Sequence, residues 1–269
     1  MPACTGAACD FERDYEIAQT PLMLDIERRV RGSDYGATSW ATREQVQQSV
    51  RRLVLAPGQC LLDIGGGSGW PALLLATLSG CDVVLTDLPL SGLRSARARA
   101  ARDGLSSRCR VLAADGEALP FPDRMFDRLH HADVLCCMER KREMLGECRR
   151  VARSGALMEF SVISLARLPD SDDERQLIRQ SGPPHPDAEE DYAVLLGRAG
   201  WSVLERIEVT SEFARCMDIL LEELHARRDA FVDLLGEQDY AERVVNRRST
   251  RAAISRGLLQ REIFLVAAS

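Results

Sequence analysis

The sequence predicts an α/β fold built on a parallel, doubly wound sheet. Three observations carry that expectation. From Cys60 onward, short apolar runs alternate with helical stretches across brief turns. The first of these runs, Cys60-Leu-Leu-Asp-Ile64, opens directly into Gly65-Gly-Gly-Ser-Gly69. The 269 residues, 45% of them hydrophobic, suffice for a sizeable core in one large α/β domain or two small ones.

The elements follow in order. Residues 10–31 and 41–55 read as helices, with Leu22, Leu24 and Ile26 in the first and Val46, Val50 and Leu53 at helical spacing in the second. Gly32-Ser-Asp-Tyr-Gly-Ala-Thr-Ser-Trp40 between them is a turn-rich loop with two aromatics, and Pro57-Gly58 breaks the chain ahead of the sheet. After the glycine turn, Pro71 stands where the first residue of a helix belongs, and the helix stops at Gly80. Residues 81–86 predict the second strand, 109–113 the third, 126–130 the fourth and 156–163 the fifth. Helices are expected over 90–102 and 141–152. Right-handed crossovers between parallel strands then place helices on both faces.

The remainder departs from this rhythm. Residues 164–186 are a polar, proline-rich insertion, after which a helix over 188–199 and a strand over 201–209 resume the alternation. A helical stretch over 211–257, broken near Gly236, precedes a last strand at 263–267. It is longer than a crossover requires, so part of it is expected to cap a pocket. The chain thus divides into an N-terminal helical lid, residues 1–56, and a sheet-bearing domain, residues 57–269, with cap insertions at about 164–187 and 211–257.

Composition narrows the chemistry. Lys and Arg number 35 against 41 Asp and Glu, a net charge of −6 that argues against a general nucleic-acid binder. Lys141 is the sole lysine, which leaves Schiff-base chemistry a single candidate. The nine cysteines contain no Cys-x-x-Cys and the four histidines no His-x-x-x-His, so neither a zinc site nor a redox dithiol is expected. The first residues have neither a basic nor an apolar signal region, and no apolar run nears the roughly 20 residues that span a bilayer. Reduced thiols in a cytoplasmic protein are expected.

In an open α/β sheet, ligands bind beyond the carboxyl ends of the strands. Glycine there permits torsions and close ligand approach that a Cβ forbids. Acids recur at these ends: Asp63 ends the first strand, Asp87 ends the second and Asp115 follows the third. A carboxylate at the second position can accept both hydroxyls of a ribose, and one at the third an adenine amine. Asp63 could face the positive part of a ligand. Each acid alone could equally be a helix cap. Gly67-Ser-Gly69-Trp-Pro-Ala72 also satisfies the dinucleotide pattern G-x-G-x-x-A, but two further glycines precede it and Asp115 would then have no task.

Leu62-Asp-Ile-Gly-Gly-Gly-Ser-Gly69, Leu85-Thr-Asp87, Ala114-Asp115, Phe126-Asp127 and the run Leu145–Gly155 resemble the successive motifs of class I S-adenosylmethionine-dependent methyltransferases. The resemblance covers about residues 58–163 specifically. It implies a Rossmann-like, seven-stranded sheet whose last strand is antiparallel. By the same resemblance Gly65, Gly67 and Gly69 would line the cofactor, Asp87 would hold the ribose and Asp115 the adenine. Tyr35, Asp63, Leu88, Gly116 and His131 complete the expected cofactor set.

Methyl transfer is an in-line displacement, so a base is needed only for an acceptor that arrives protonated. Candidates at the end of the fourth strand are His131 and Asp133, with His185 reaching in from the insertion on a mount of two prolines. Cys136-Cys137 reads as apolar packing. Tyr15, Tyr35 and Trp40 could wall a cationic or planar acceptor. Tyr35-Gly-Ala-Thr-Ser39 and the long helical insert resemble phosphoethanolamine and sarcosine-type methyltransferases, although Cys137 stands where the former carry a histidine.

The expectation is a methyltransferase acting on a small molecule, nitrogen slightly favoured over oxygen or carbon, with no metal and no membrane contact; a homodimer is compatible with it. The rival expectations are a protein of this fold that binds the cofactor without methylating, and an RNA or protein methyltransferase.

Overall fold

The computed structural model describes residues 7–188 and 190–269, with side chains from Phe11 onward. Two of the nine cysteines, Cys4 and the side chain of Cys9, and Glu189 within the helix expected over 188–199 lie outside the described residues.

The helix expected over residues 10–31 is two helices, α1 (Ala7–Ala18) and α2 (Pro21–Arg31). Pro21 supplies the reason: it starts a helix readily but cannot continue one. The segment over 41–55 shortens to α3 (Arg43–Arg52), because a capping box fixes its start. Thr42 accepts from the Gln45 backbone, and the Gln45 side chain accepts from the Thr42 backbone.

Seven strands follow: β1 (Cys60–Ile64), β2 (Asp82–Asp87), β3 (Cys109–Ala113), β4 (Phe126–Ala132), β5 (Ala152–Leu165), β6 (Trp201–Glu208) and β7 (Leu259–Ala268). They form one sheet in the order β3-β2-β1-β4-β5-β7-β6. Pairings from β3 through β5 are parallel, and β7 runs antiparallel between β5 and β6, as expected. The order reverses between β1 and β4, which opens a crevice at their carboxyl ends. β5 begins earlier than expected, because Ser154-Gly155 is a bulge inside it. Pairing jumps there from Phe126–Ala152 to Arg128–Leu157.

Helices α4 (Ala72–Ser79), α5 (Leu90–Arg102), α6 (Lys141–Val151) and α8 (Tyr192–Arg198) complete the crossovers. The proline-rich insertion contains a helix that its polarity concealed, α7 (Asp172–Gln180), whose N-cap Ser171 accepts from the Glu174 backbone. The stretch before β7 is three helices: α9 (Thr210–Ala226), α10 (Arg228–Leu235) and α11 (Glu237–Ser255). Gly236 marks the break expected there; a second falls at Arg227. The core lies on both faces of the sheet, one half against α4 and α5 and the other against α6, α8 and α9. No helix among the described residues is long and apolar enough to cross a membrane.

Candidate active site

The carboxyl ends of β1 to β4 open onto a cavity of about 610 Å³. Ile64, Gly65, Asp87, Leu88, Asp115 and Gly116 line one end of it. Residues of α1, α2, the 37–40 loop, α9 and α11 enclose the other.

The glycine turn is shaped by crowding as well as by torsion. Gly65 (φ +67°) and Gly67 (φ +50°) sit in the left-handed region, where a side chain is strained. A Cβ on Gly65 would lie 2.5 Å from Val134 Cγ2, and one on Gly67 would lie 2.2 Å from the Tyr15 hydroxyl oxygen. Of the three turn glycines expected at the cofactor, Gly65 lines the cavity; Gly67 and Gly69 shape the turn behind it.

Asp87 receives three donors from the protein. Its Oδ2 accepts the Gly67 backbone N–H at 2.8 Å and the Tyr15 hydroxyl at 3.2 Å, and its Oδ1 accepts the Leu88 N–H at 2.7 Å. Burial nevertheless pushes its carboxyl up to about 6, against these hydrogen bonds. Leu88 is 52% exposed and lies against the cavity, an apolar shelf beside the acid. Asp115 accepts the Glu117 N–H at 2.9 Å and so keeps its own turn in shape at the cavity wall. A Cβ on Gly116 would come within 3.1 Å of Ile64.

Asp63 departs from its expected place. It points beneath the turn, where its Oδ1 meets His130 Nδ1 at 2.7 Å, and it does not line the cavity. Burial raises its carboxyl pKa, with His130 acting in opposition. A Cβ on Gly66 would come 2.3 Å from its Oδ2, so Asp63 explains the extra glycine. Tyr35 is also outside the cavity; its ring lies under the Arg99 guanidinium at 3.9 Å and against Trp70 at 5.2 Å.

The two acid–base candidates on β4 and its exit diverge from their expected roles. His131 is fully buried on the face of the sheet opposite His130, stacked on Phe160 at 4.6 Å, and both ring nitrogens lack partners. Burial drives its pKa well below the usual histidine range, so the imidazole is neutral, and it does not line the cavity. Asp133 does line the cavity, yet its oxygens are committed. They accept from Trp40 N–H at 2.7 Å, Ser161 Oγ at 2.9 Å, and Arg261 Nε and Nη2 at 2.9 and 3.1 Å. These four bonds hold Asp133 at φ +58°, an uncommon torsion for a residue with a side chain. His185 lies at the cavity rim, tethered by its backbone N–H to the Cys136 carbonyl at 2.9 Å.

The expected aromatic wall is dispersed. Tyr15 covers Asp87, Tyr35 packs elsewhere, and Trp40 stands between Arg31 and Arg247, at 5.8 and 5.4 Å from its ring centroid. Cys136 and Cys137 both border the cavity, Cys136 donating to the Asp133 carbonyl at 3.2 Å. Among the described residues no cluster of His, Cys, Asp and Glu is arranged to hold a metal ion.

Residues 62–160, which hold the glycine turn and all three acids, match the family described as a methyltransferase domain. Over that stretch the chain is similar to a methyltransferase domain. Curated relatives include 24-methylenesterol C-methyltransferase 2 of Oryza sativa subsp. japonica, 30% identical over 176 residues, 63% of this chain and 48% of that protein. Phosphoethanolamine N-methyltransferase 1 of Zea mays is 26% identical over 214 residues, 79% of this chain and 41% of that protein. The chain spans about half the length of the curated relatives it matches. Among solved structures, the 4+2 cyclase SpnF shares the fold with a TM-score of 0.78 at 22% identity, over 99% of this chain and 97% of that one.

The glycine turn fits an adenosyl sulfonium on three counts: a backbone too close for side chains at Gly65, a carboxylate at Asp87, and a shelf at Leu88. Three residues that shape the site escaped the sequence reading. Glu27 on α2 accepts Ser33 Oγ and the backbone N–H groups of residues 35–37, which fixes the entry to the Trp40 loop. Arg261 neutralises Asp133, and Arg247 faces the cavity from α11. An acid within α2 and arginines within arginine-rich segments carry no local signal.

Proposed function

We propose that this chain transfers a methyl group from S-adenosylmethionine to a small, largely apolar acceptor. One observation carries the reading: a single cavity joins the Asp87 end of the sheet to an apolar chamber under α2, α9 and α11. Gly65, Asp87, Leu88, Asp115 and Gly116 would hold the cofactor, which when bound supplies a methyl group on an already activated leaving group.

The protein's own part is then alignment and exclusion of water. Residues 7–56 serve as the lid: α1 brings Tyr15 over Asp87, and the 37–40 loop is pinned through Trp40 to Asp133. The chamber offers Met23, Ile26, Val30, Met217, Leu220 and Phe231 as apolar walls. Its inner acids are engaged. Glu27 has four donors, Asp133 has Arg261, and Asp14 pairs with Arg243 at 3.3 Å. An ammonium acceptor would need a base to remove its proton. Committed acids and apolar walls favour a carbon or oxygen nucleophile over the nitrogen that the sequence alone favoured. The curated relatives, named as C- and N-methyltransferases, are compatible with either.

A second reading, cofactor binding without methylation, is suggested by the cyclase among the fold neighbours. The test is incubation with methyl-labelled S-adenosylmethionine and a metabolite extract, with RNA as a parallel acceptor. Labelled small-molecule product together with S-adenosylhomocysteine supports the proposal. Tight cofactor binding with no product from either pool supports the second reading, and labelled RNA overturns both.

A further inference from the structure

The acceptor chamber contains a positive charge, Arg247, that forms no ion pair among the described residues. Arg247 extends from α11 to the cavity wall beside Gly182 and Thr250. Its Nη1 donates to the Asn246 side-chain oxygen at 3.0 Å, and its buried Nε has no acceptor. No carboxylate among the described residues forms an ion pair with it, whereas neighbouring Arg243 is matched by Asp14. Arg31 adds charge nearby; it donates to the carbonyls of Ala37 and Ser39 at 2.8 and 2.7 Å and flanks the same indole, Trp40, as Arg247. Burial and the Arg243 charge pull the Arg247 pKa down to about 10, with the Asp14 carboxylate acting in opposition, which still leaves it protonated at neutral pH.

A half-buried guanidinium among apolar walls, with its buried Nε out of reach of any acceptor among the described residues, is costly to fold. Arginine is also the side chain whose donors best match a planar or tetrahedral oxyanion. The opposite end of the cavity does not share this character, because the acids Asp87, Asp115 and Glu117 line it. We propose that Arg247 anchors an oxyanion, carboxylate or phosphate, borne by an otherwise apolar methyl acceptor. The proposal rests on reading this chamber as the acceptor site. It makes Arg247 a specificity determinant: its charge selects amphipathic anions and rejects cationic amines. The ring of Trp40, already flanked by two guanidiniums, reinforces that rejection.

The experiment uses the full chain. Affinity for S-adenosylhomocysteine is first measured alone by calorimetry. The saturated protein is then titrated with decanoate, decyl phosphate, decanol and decyltrimethylammonium. The expected result is that one anion binds at least about tenfold more tightly than decanol, the ammonium binds most weakly, and Arg247→Gln removes the anion's advantage while leaving decanol unchanged. Whichever anion binds more tightly identifies the headgroup. Removal of an uncompensated charge should leave the melting temperature of Arg247→Gln equal or higher. Equal binding of anions and decanol, no binding of either anion, or an Arg247→Gln variant that melts lower yet binds the anion as before would each overturn the proposal. Failure of S-adenosylhomocysteine to bind would instead overturn the cofactor reading, and the anion preference would still be measurable without it.

Discussion

Asp133 and Arg261 form a buried, two-pronged ion pair at 2.9 and 3.1 Å, although 128 residues separate them in the chain. Arg261 also donates to Gln45 Oε1 at 3.1 Å and Ser161 Oγ at 2.9 Å, and Asp133 also accepts from Trp40. This one pair therefore ties β4, β5, β7, α3 and the Trp40 loop together beneath the cavity. An acid so engaged has no lone pair directed at an acceptor's proton, which makes it a positioning group.

Removal of one partner leaves the other charged and desolvated. Arg261→Met is expected to cost about 3–5 kcal/mol of stability, read as a lower midpoint in urea unfolding. The paired change Asp133→Leu with Arg261→Met should recover much of that loss. If the single variant unfolds at the wild-type midpoint, the network does not support the fold.

Asp87 should make cofactor binding depend on pH. Its carboxyl holds its proton up to about pH 6, against an ordinary value of 3.8. Hydroxyl donors prefer the ionised form, so affinity for S-adenosylhomocysteine should rise as pH climbs through 6. At about pH 5 roughly a tenth of the sites are ionised, so binding there should be about tenfold weaker than at about pH 7.5. Folding responds with the opposite sign. The folded state holds this proton more tightly than the unfolded chain, so the Asp87 contribution to stability declines as pH rises between about 4 and 6. Calorimetric titration of Asp87→Asn should show a weaker and flatter profile; an unchanged profile would assign the pH dependence to another group.

Gly67→Ala places a methyl group 2.2 Å from the Tyr15 hydroxyl at a torsion of φ +50°. The strain and the displacement of Tyr15 should together cost about 1–3 kcal/mol. Affinity for S-adenosylhomocysteine should fall with it, because Gly67 N–H and Tyr15 both position Asp87. Scanning calorimetry and a binding titration of the same variant measure the two effects.

His131→Phe tests the opposite expectation. The imidazole leaves both nitrogens without partners and stacks on Phe160, so an apolar ring should be accommodated with a gain of about 1 kcal/mol. Turnover, once an acceptor is found, should stay at the wild-type level. Lost turnover with intact folding would return His131 to the reaction.

The residues legible in the sequence are those whose role is local. Asp87 ends β2, Gly65 and Leu88 directly follow β1 and β2, and Asp115 and Gly116 lie two and three residues beyond β3; an open parallel sheet sends all such positions to the same edge, so strand recognition also located them. Asp63 obeyed the same rule and still went elsewhere. It is one residue short of the end of β1, and side chains of a strand alternate between faces. His131 failed for a related reason: adjacent histidines on β4 face opposite sides, and only His130 lies beside Asp63.

By itself the sequence determined the order of strands and helices, the glycine turn and the acids at the sheet's edge, because backbone torsion and hydrophobic periodicity act over a few residues. Tertiary structure alone decided which charges are spent and which are left over. Arg261 and Arg247 are chemically identical side chains in the last 25 residues, yet one pairs with Asp133 and the other forms no ion pair among the described residues. That difference is a matter of distance across the fold, and Coulomb energy in a buried site depends on where the counter-charge lies in space.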